Sequence, residues 1–350
     1  MNHNIAFFDA KPYDKETFNL ANSEFHFHIK YFHAHLTDES AVMSRGYDVV
    51  CAFVNDLITA DIIGELVGYG VRLIALRCAG YSNVDLKAAY ERIHILRVPA
   101  YSPYAIAEHT AALILTLNRK IHRAYNRTRE ANFALSGLMG FDLHGKTAGV
   151  VGTGNIGKNL VRILRGFGMN VLVYDILPDY SFAKDTNCRY TELDELFASS
   201  DIISLNCPLT RETGYMVNRD SISRMKDGVM VINTGRGKLI KTSDLIDALK
   251  TGKVGSAGLD VYEEESEYFF EDLSDRVLTD DILARLLTFN NVIITSHQGY
   301  FTREALEAIA RTTILNISDF FEGKALPNEI CYRCPAMKES CRKEIEGRCF

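Results

Sequence analysis

Three glycines in "VVGTGNIGKN" pose two chemistries at once. Gly152, Gly154 and Gly157 fit G-x-G-x-x-G, a loop that carries a dinucleotide for hydride transfer; Gly152, Gly157 and Lys158 also fit most of G-x-x-x-x-G-K-[ST], a loop for phosphoryl transfer. The triphosphate loop needs a Ser or Thr after the lysine to place a hydroxyl on magnesium, and here Asn159 follows. The strand "NVLVYD" after the intervening helix ends in Asp175, about twenty residues beyond the glycines, where a carboxylate binds the adenosine ribose hydroxyls. Hydride chemistry is therefore the expectation. Asp175 also selects the cofactor: its charge repels a 2′-phosphate and "ILPDY" supplies no arginine, so NAD is expected over NADP.

Further polar residues stand at the ends of three later apolar runs: Arg236 in "INTGRG", Asp260 and Glu265 in "LDVYEEE", and His297 in "ITSHQGY". Open α/β sheets hold ligands at the carboxyl ends of their strands, so arginine, glutamate and histidine could meet in one cleft.

The elements that must position these groups are short apolar runs alternating with helical patterns. They are "NIAFFDA", "DVVCAFV", "VRLIALR", "HILRVPA", "TAGVVG", "NVLVYD", "DIISLN", "GVMVINT", "GSAGLDV" and "NVIITSH". Such runs are typical of buried parallel strands, and the alternation implies doubly wound α/β sheets. There are too many for one sheet, and two long helices mark the seams. One begins at Ser102–Pro103; the other is capped by Thr302, carries Leu306, Ile309, Ala310, Thr313, Ile317, Phe320 and Phe321 at helical spacing, and ends at Gly323. The expected organisation is a discontinuous domain of residues 1–100 and 299–330, an inserted dinucleotide domain of residues 101–298, and a Cys-rich tail of residues 331–350.

Composition narrows the partners. A chain of 350 residues with 39 basic and 45 acidic side chains has no general attraction for nucleic acid or anionic membrane, which leaves small molecules. "MNHNIAFFDAKPYDKETF" is no signal peptide and "AALILTL" is too short to span a bilayer, so a cytoplasmic location is expected. Cys51, Cys78, Cys188 and Cys207 read as buried thiols. His26, His28, His33 and His35 lack an accompanying carboxylate or cysteine pattern, and His109 and His122 on a helix default to packing or surface roles. No metal ligand is assigned. In the tail, Cys331, Cys334, Cys341 and Cys349 leave zinc, an iron–sulfur cluster, disulfides and free thiols all open.

The motifs "RCAGYSNVDL", "VPAYSPYAIAEH", "GKTAGVVGTGNIG", "SLNCPLT", "MKDGVMVINTGRG", "GLDVYEEE", "FFEDLSDRVLTDD" and "TSHQGYFTREAL" follow in order. With them the chain resembles the D-isomer-specific 2-hydroxyacid dehydrogenases, from about residue 4 to 330, and within them the bacterial fermentative D-lactate enzymes. The resemblance implies a Rossmann NAD domain inserted into a flavodoxin-like substrate domain. It further implies that Arg236 holds the substrate carboxylate, that His297 is the acid/base and that Glu265 is its partner. Cofactor contacts are implied at Asn155, Ile156, Cys207, Pro208, Thr213, Thr234, Gly235 and Asp260, besides the glycines and Asp175. Thr213 departs from the family pattern, where asparagine is common. Substrate contacts are implied at the backbone of Cys78 and Ala79, at Tyr101 and at Tyr300.

Pyruvate reduction to D-lactate is the activity the resemblance implies, in a homodimer or homotetramer. Hydroxypyruvate or a larger 2-oxoacid is the alternative substrate. An NAD-sensing binding module is the alternative class; it would call for partner-recognition surfaces or disordered extensions, which the sequence lacks apart from its tail.

Overall fold

The computed structural model describes residues 3–264, 268–333 and 342–350, so Glu265, Cys334 and Cys341 lie outside the described residues. The chain divides into two compact units: Met1–Ser102 with Thr302–Phe350, and Pro103–Phe301.

In the first unit, β1 (Asn4–Phe7), β2 (His28–Tyr31), β3 (Val49–Ala52), β4 (Leu73–Leu76) and β5 (His94–Leu96) form a parallel sheet in the order β2-β1-β3-β4-β5. That is the flavodoxin-like order. The central strands β3 and β4, "VVCA" and "LIAL", are buried at every position, as strands covered on both faces must be. The helix Arg303–Phe321 returns to this unit, setting Ala310, Ile314, Ile317 and Phe320 among Ile5, Phe7, Val49 and Leu73. The Thr302 hydroxyl caps it by accepting from the Ala305 amide, and Gly323 follows its end at φ +72°.

The second unit is built on β6 (Thr147–Val151), β7 (Asn170–Tyr174), β8 (Arg189–Tyr190), β9 (Ile202–Leu205), β10 (Val229–Asn233), β11 (Val254–Leu259) and β12 (Val292–Ile294). They lie parallel in the order β12-β11-β10-β9-β6-β7-β8, the Rossmann order with one strand added. Strand order reverses between β6 and β9, so the loops after these two strands flank the point where such sheets bind dinucleotides. Separate apolar layers cover the two faces. One contains Leu113, Ile114 and Leu117 of the helix Pro103–Arg119 with Leu160, Val161 and Leu164 of the helix Asn155–Gly166; the other contains Leu196, Leu245, Leu249 and Leu286.

Two parallel α/β sheets are what the alternating runs imply. The structure adds β2 and β8, which are not among those runs. Both are edge strands, in which exposed residues interrupt the apolar run, and β8 has only two residues.

Candidate active site

The glycine loop joins β6 to the helix Asn155–Gly166, and each glycine meets a different constraint. Gly152 sits at φ +94°, and a Cβ there would lie 2.7 Å from the Asn206 carbonyl oxygen and 2.8 Å from the Cys207 nitrogen. A Cβ on Gly157 would collide with the Gly152 carbonyl, so strand and helix touch through bare backbone. Gly154 is different: φ is −66° and a Cβ would meet nothing within 4 Å, so nothing in the protein itself demands glycine there.

The triphosphate alternative fails on side-chain geometry. Lys158 turns away from the loop to pair with Asp179 at 2.6 Å, which holds that carboxyl well below the usual range. Asn159 donates to the Asn155 carbonyl at 2.9 Å and accepts from Arg162 at 3.0 Å. Neither is arranged for a triphosphate and its magnesium. Asp175, beyond β7, accepts from the Thr153 amide at 2.6 Å and hydroxyl at 3.0 Å, and from the Leu177 amide at 3.0 Å. Partial burial disfavours its charge, but these donors outweigh that and lower its pKa. Thr153, which sequence reading passed over, links Asp175 to the Tyr190 hydroxyl at 2.8 Å.

After β9 come Cys207, whose thiol burial pushes up to about 11, and Pro208, whose carbonyl accepts from the Thr213 hydroxyl at 2.7 Å. That hydroxyl also accepts from the Thr210 amide at 2.7 Å, so Thr213 braces its own loop. After β10, Asn233 ties the turn: its amide donates to the Arg236 carbonyl at 2.9 Å and its oxygen accepts from the Gly235 amide at 3.0 Å. Thr234 is buried, with its hydroxyl 2.9 Å from that of Thr110. Thr110 donates to Ile106, so the proton in the pair comes from Thr234. Arg236 itself is exposed, with Nη1 on the Gly235 carbonyl at 2.8 Å.

Asp260, buried after β11, organises the chain beyond β12. Its Oδ1 accepts from the Thr295 hydroxyl at 2.6 Å and the Gln298 amide at 2.9 Å, and its Oδ2 from the Gly299 amide at 2.8 Å. Its backbone carbonyl accepts from the His297 amide at 2.8 Å. His297 is thereby held at φ +53°, a conformation uncommon outside glycine, with its ring 5.8 Å from that of Phe270. Strain of this kind, held by four hydrogen bonds to one residue, is a mark of a functional loop.

His109, assigned by sequence to packing or surface, joins this network. Its Nε2 lies 3.1 Å from Thr295 Oγ1 and 3.3 Å from Asp260 Oδ1. Since the Thr295 proton goes to Asp260, His109 is the donor. Burial raises the Asp260 pKa, but the donations from His109 and Thr295 prevail and lower it.

Arg236, Asp260 and His297 thus stand at three carboxyl ends of one sheet. Glu265 belongs to the stretch outside the described residues. Its neighbours are committed elsewhere: Glu263 accepts from the Thr242 amide at 2.9 Å, and Glu264 faces Lys238 at 3.7 Å. Tyr300 is buried, its ring 6.1 Å from that of Phe301.

The first unit carries the remaining candidates on loops after β4 and β5. Cys78 is buried with Sγ on the Gly80 carbonyl at 3.2 Å, Ala79 gives its carbonyl to Arg97 at 2.7 Å, and Tyr101 is half-buried. His35, which sequence left without acidic company, lies 3.8 Å from Asp9 and 3.8 Å from Asp56, carboxylates brought from distant segments.

Comparison with known proteins matches residues 111–299 to the NAD-binding domain of D-isomer-specific 2-hydroxyacid dehydrogenases. The D-lactate dehydrogenase of Escherichia coli is 48% identical over 327 residues, 93% of this chain and 99% of that one. The apo structure of D-lactate dehydrogenase from Escherichia coli superposes with a TM-score of 0.87 at 46% identity, covering 93% of this chain and 99% of that chain. The pyruvate reductase of Chlamydomonas reinhardtii gives a TM-score of 0.90 at 42% identity over 93% of this chain and 98% of that chain.

Proposed function

The chain belongs to the D-isomer-specific 2-hydroxyacid dehydrogenases, and from that premise we infer that it is an NAD-dependent oxidoreductase that reversibly reduces pyruvate to D-lactate. The observation that carries the mechanism is the convergence of Arg236, Asp260 and His297 on the carboxyl edge of the sheet whose glycine loop fits a dinucleotide.

The loop suits NAD on its own geometry. Two glycines are demanded by backbone conformation and packing, and the bare surface at Gly154 lets a pyrophosphate approach the amides that open the helix Asn155–Gly166. Asp175, held charged by Thr153 and Leu177, accepts the ribose hydroxyls. Asn155, Ile156, Cys207, Pro208, Thr234 and Gly235 complete the contacts, and Thr213, also implied as a contact, braces the loop that carries Pro208. When bound, NADH supplies the hydride.

The chain's own residues do the rest. Arg236, on a turn braced by Asn233, grips the substrate carboxylate with a planar, permanently charged fork and so fixes the carbonyl carbon in register. His297 in its protonated form donates to the carbonyl oxygen, and in its neutral form removes the hydroxyl proton in the reverse direction. Glu265, to which the resemblance gives the role of partner, favours the imidazolium and orients the ring. Substrate contacts fall, as the resemblance implies, to the backbone of Cys78 and Ala79, to Tyr101 and to Tyr300.

Exposed apolar side chains on the second unit, among them Phe133, Leu135 and Met139, support assembly into a homodimer or homotetramer. Among the described residues no helix is long and apolar enough to cross a membrane, and thiols such as Cys51 and Cys188 outside any disulfide support a cytoplasmic location.

The test follows NADH absorbance across a panel of 2-oxoacids, with a chiral assay of the product. Pyruvate should give the highest kcat/KM and D-lactate the only enantiomer. Preference for a bulkier 2-oxoacid would replace the substrate, and NADH binding without any turnover would replace the enzyme by a nucleotide-sensing module.

A further inference from the structure

The loop after β4 is pinned to the first unit at both of its flanks. It begins at Arg77, whose amide donates to the Ala52 carbonyl at 3.1 Å and whose buried guanidinium lies 4.5 Å from the centre of the Phe7 ring and 4.7 Å from that of Phe53. It closes at Asn83, whose side-chain amide donates to the carbonyls of Phe53 at 3.0 Å and Asp56 at 2.8 Å. What the loop presents to a ligand is decided between these anchors, at Cys78, Ala79 and Gly80.

There the chain turns its carbonyls toward the segment after β5. The Val98 amide donates to the Cys78 carbonyl at 3.1 Å, and Arg97 Nη1 donates to the Ala79 carbonyl at 2.7 Å. In a trans peptide the N–H points opposite to the C=O, so the amides of Ala79 and Gly80 face away from residues 97 and 98. Among the described residues neither amide donates to a protein acceptor, and both residues are only half-buried. Successive amides turned to one side make a concavity for an anion, and the carboxylate of a 2-oxoacid is such an anion.

Arg97 is itself fixed by other parts of the unit. Its amide donates to the Asn328 carbonyl at 3.2 Å, and its carbonyl accepts from the Asn316 side chain at 2.9 Å. Asn328 in turn donates to Asn316 Oδ1 at 2.8 Å, so the helix Arg303–Phe321 and the chain just beyond it grip the residue together. The guanidinium also lies 5.2 Å from the centre of the Tyr81 ring, on the same loop whose carbonyl it holds. A cationic donor at 2.7 Å makes a charge-assisted bond, about twice as strong as a neutral one. Without it the peptide between Ala79 and Gly80 is free to rotate between the anchors at Arg77 and Asn83.

We propose that Arg97 is a positioning residue for substrate binding: by holding the Ala79 carbonyl it aims the Gly80 amide, beside that of Ala79, at the carboxylate of the 2-oxoacid, a role that rests on the dehydrogenase reading. Arg97 acts through the peptide it holds and not on the reacting atoms. The carboxylate is bound alike in the ground state and the transition state, so loss of Arg97 falls on substrate affinity and spares the hydride step. A residue that merely stabilised the fold would lower Tm without that separation.

The experiment compares the full chain with Arg97→Met, Arg97→Lys and Tyr81→Ala. It uses pyruvate, or whichever 2-oxoacid the parent turns over best, and oxamate titrated into the complex with NADH and followed by fluorescence. Arg97→Met should raise the KM for the 2-oxoacid and the Kd for oxamate about tenfold, with kcat within about threefold and the KM for NADH within about twofold of the parent. Arg97→Lys keeps a charged donor and should recover most of the loss, to within about threefold of the parent. Tyr81 is exposed, so Tyr81→Ala spares the fold, and release of the guanidinium from its ring should raise the KM about two- to fivefold. A parental KM and oxamate Kd in Arg97→Met would overturn the proposal, as would a loss confined to kcat or a lysine variant as impaired as the methionine one. Where Arg97→Met does not fold, a parental KM in Tyr81→Ala overturns it. A parent that turns over no 2-oxoacid would instead overturn the dehydrogenase reading, and the role of Arg97 with it.

Discussion

Asp260→Asn tests how the second unit holds His297. The carboxylate is buried and accepts three hydrogen bonds from the loop beyond β12, from Thr295, Gln298 and Gly299, with His109 also facing it. An asparagine keeps the shape but offers one acceptor atom, and its amide protons must point at one of those donors. At least one charge-assisted bond is lost, worth about 1.5–3 kcal/mol, and the remaining bonds weaken to the neutral kind. A net loss of about 3 kcal/mol lowers Tm by about 6–12 °C for a unit of this size. The kinetic effect is separate. His297 hangs from the Asp260 carbonyl at a strained φ, and displacement of a catalytic group by an ångström costs about a hundredfold. The expected signature is a kcat lower by about two orders of magnitude, with the KM for pyruvate changed less than about threefold because Arg236 lies on a different turn. Stopped-flow NADH oxidation and calorimetry read the two effects. A kcat within twofold of the parent at unchanged Tm would refute the positioning argument. A loss confined to the KM for NADH would mean that Asp260 reads the cofactor instead. There is also a sign in pH. The folded pKa of Asp260 lies below its usual value, so its contribution is complete above about pH 4 and is lost as pH falls through the folded pKa. The stability gap between parent and variant, from urea unfolding, should be flat from pH 7 to 5 and close below pH 4; a gap that widens in acid would contradict it.

Other residues give sharper single readouts. Gly152→Ala places a Cβ 2.7 Å from the Asn206 carbonyl at φ +94°, and should cost more than about 2 kcal/mol of stability and abolish NADH binding measured by fluorescence titration. Asp175→Ala removes the charge that repels a 2′-phosphate, so the NAD:NADP ratio of kcat/KM should fall at least about tenfold; an unchanged ratio would place ribose recognition elsewhere. His297→Gln should lower kcat by about 10²–10⁴ with pyruvate binding nearly intact, and a preserved kcat would remove its role in proton transfer. Arg236→Lys should act the other way, raising the KM for pyruvate about ten- to a hundredfold, because an ammonium cannot reproduce the paired grip; unchanged pyruvate kinetics would discard that role.

Legibility followed periodicity and distance along the chain. Strands such as β3 and β4 are buried on both faces and so print as unbroken apolar runs, and the seam helices announce themselves through Ser102–Pro103 and Thr302. β8 does not, because a two-residue edge strand has no period to detect. The glycine loop was legible because its constraints are local: a positive φ at Gly152 and backbone contact at Gly157 both exclude a Cβ whatever surrounds them.

His109 shows where local reading ends. Nothing in its local sequence distinguishes it from His122, which stands on the next helix, Ile121–Arg129. What separates them is the partner, Asp260, which lies on another strand end and is drawn to the same place by the pairing of β11 with β10 and β12. Asp260 is itself legible as a strand-end carboxylate, and a buried carboxylate must find donors. Counting the donors its own loop can supply gives Thr295, Gln298 and Gly299, two on Oδ1 and one on Oδ2. All three come from the loop beyond β12, so the buried charge still lacks a donor from another element. The helix Pro103–Arg119 supplies one in His109. The physical demand, a buried charge seeking one more donor, could be stated from sequence; the identity of the donor could not, because it depends on which helix crosses that strand end.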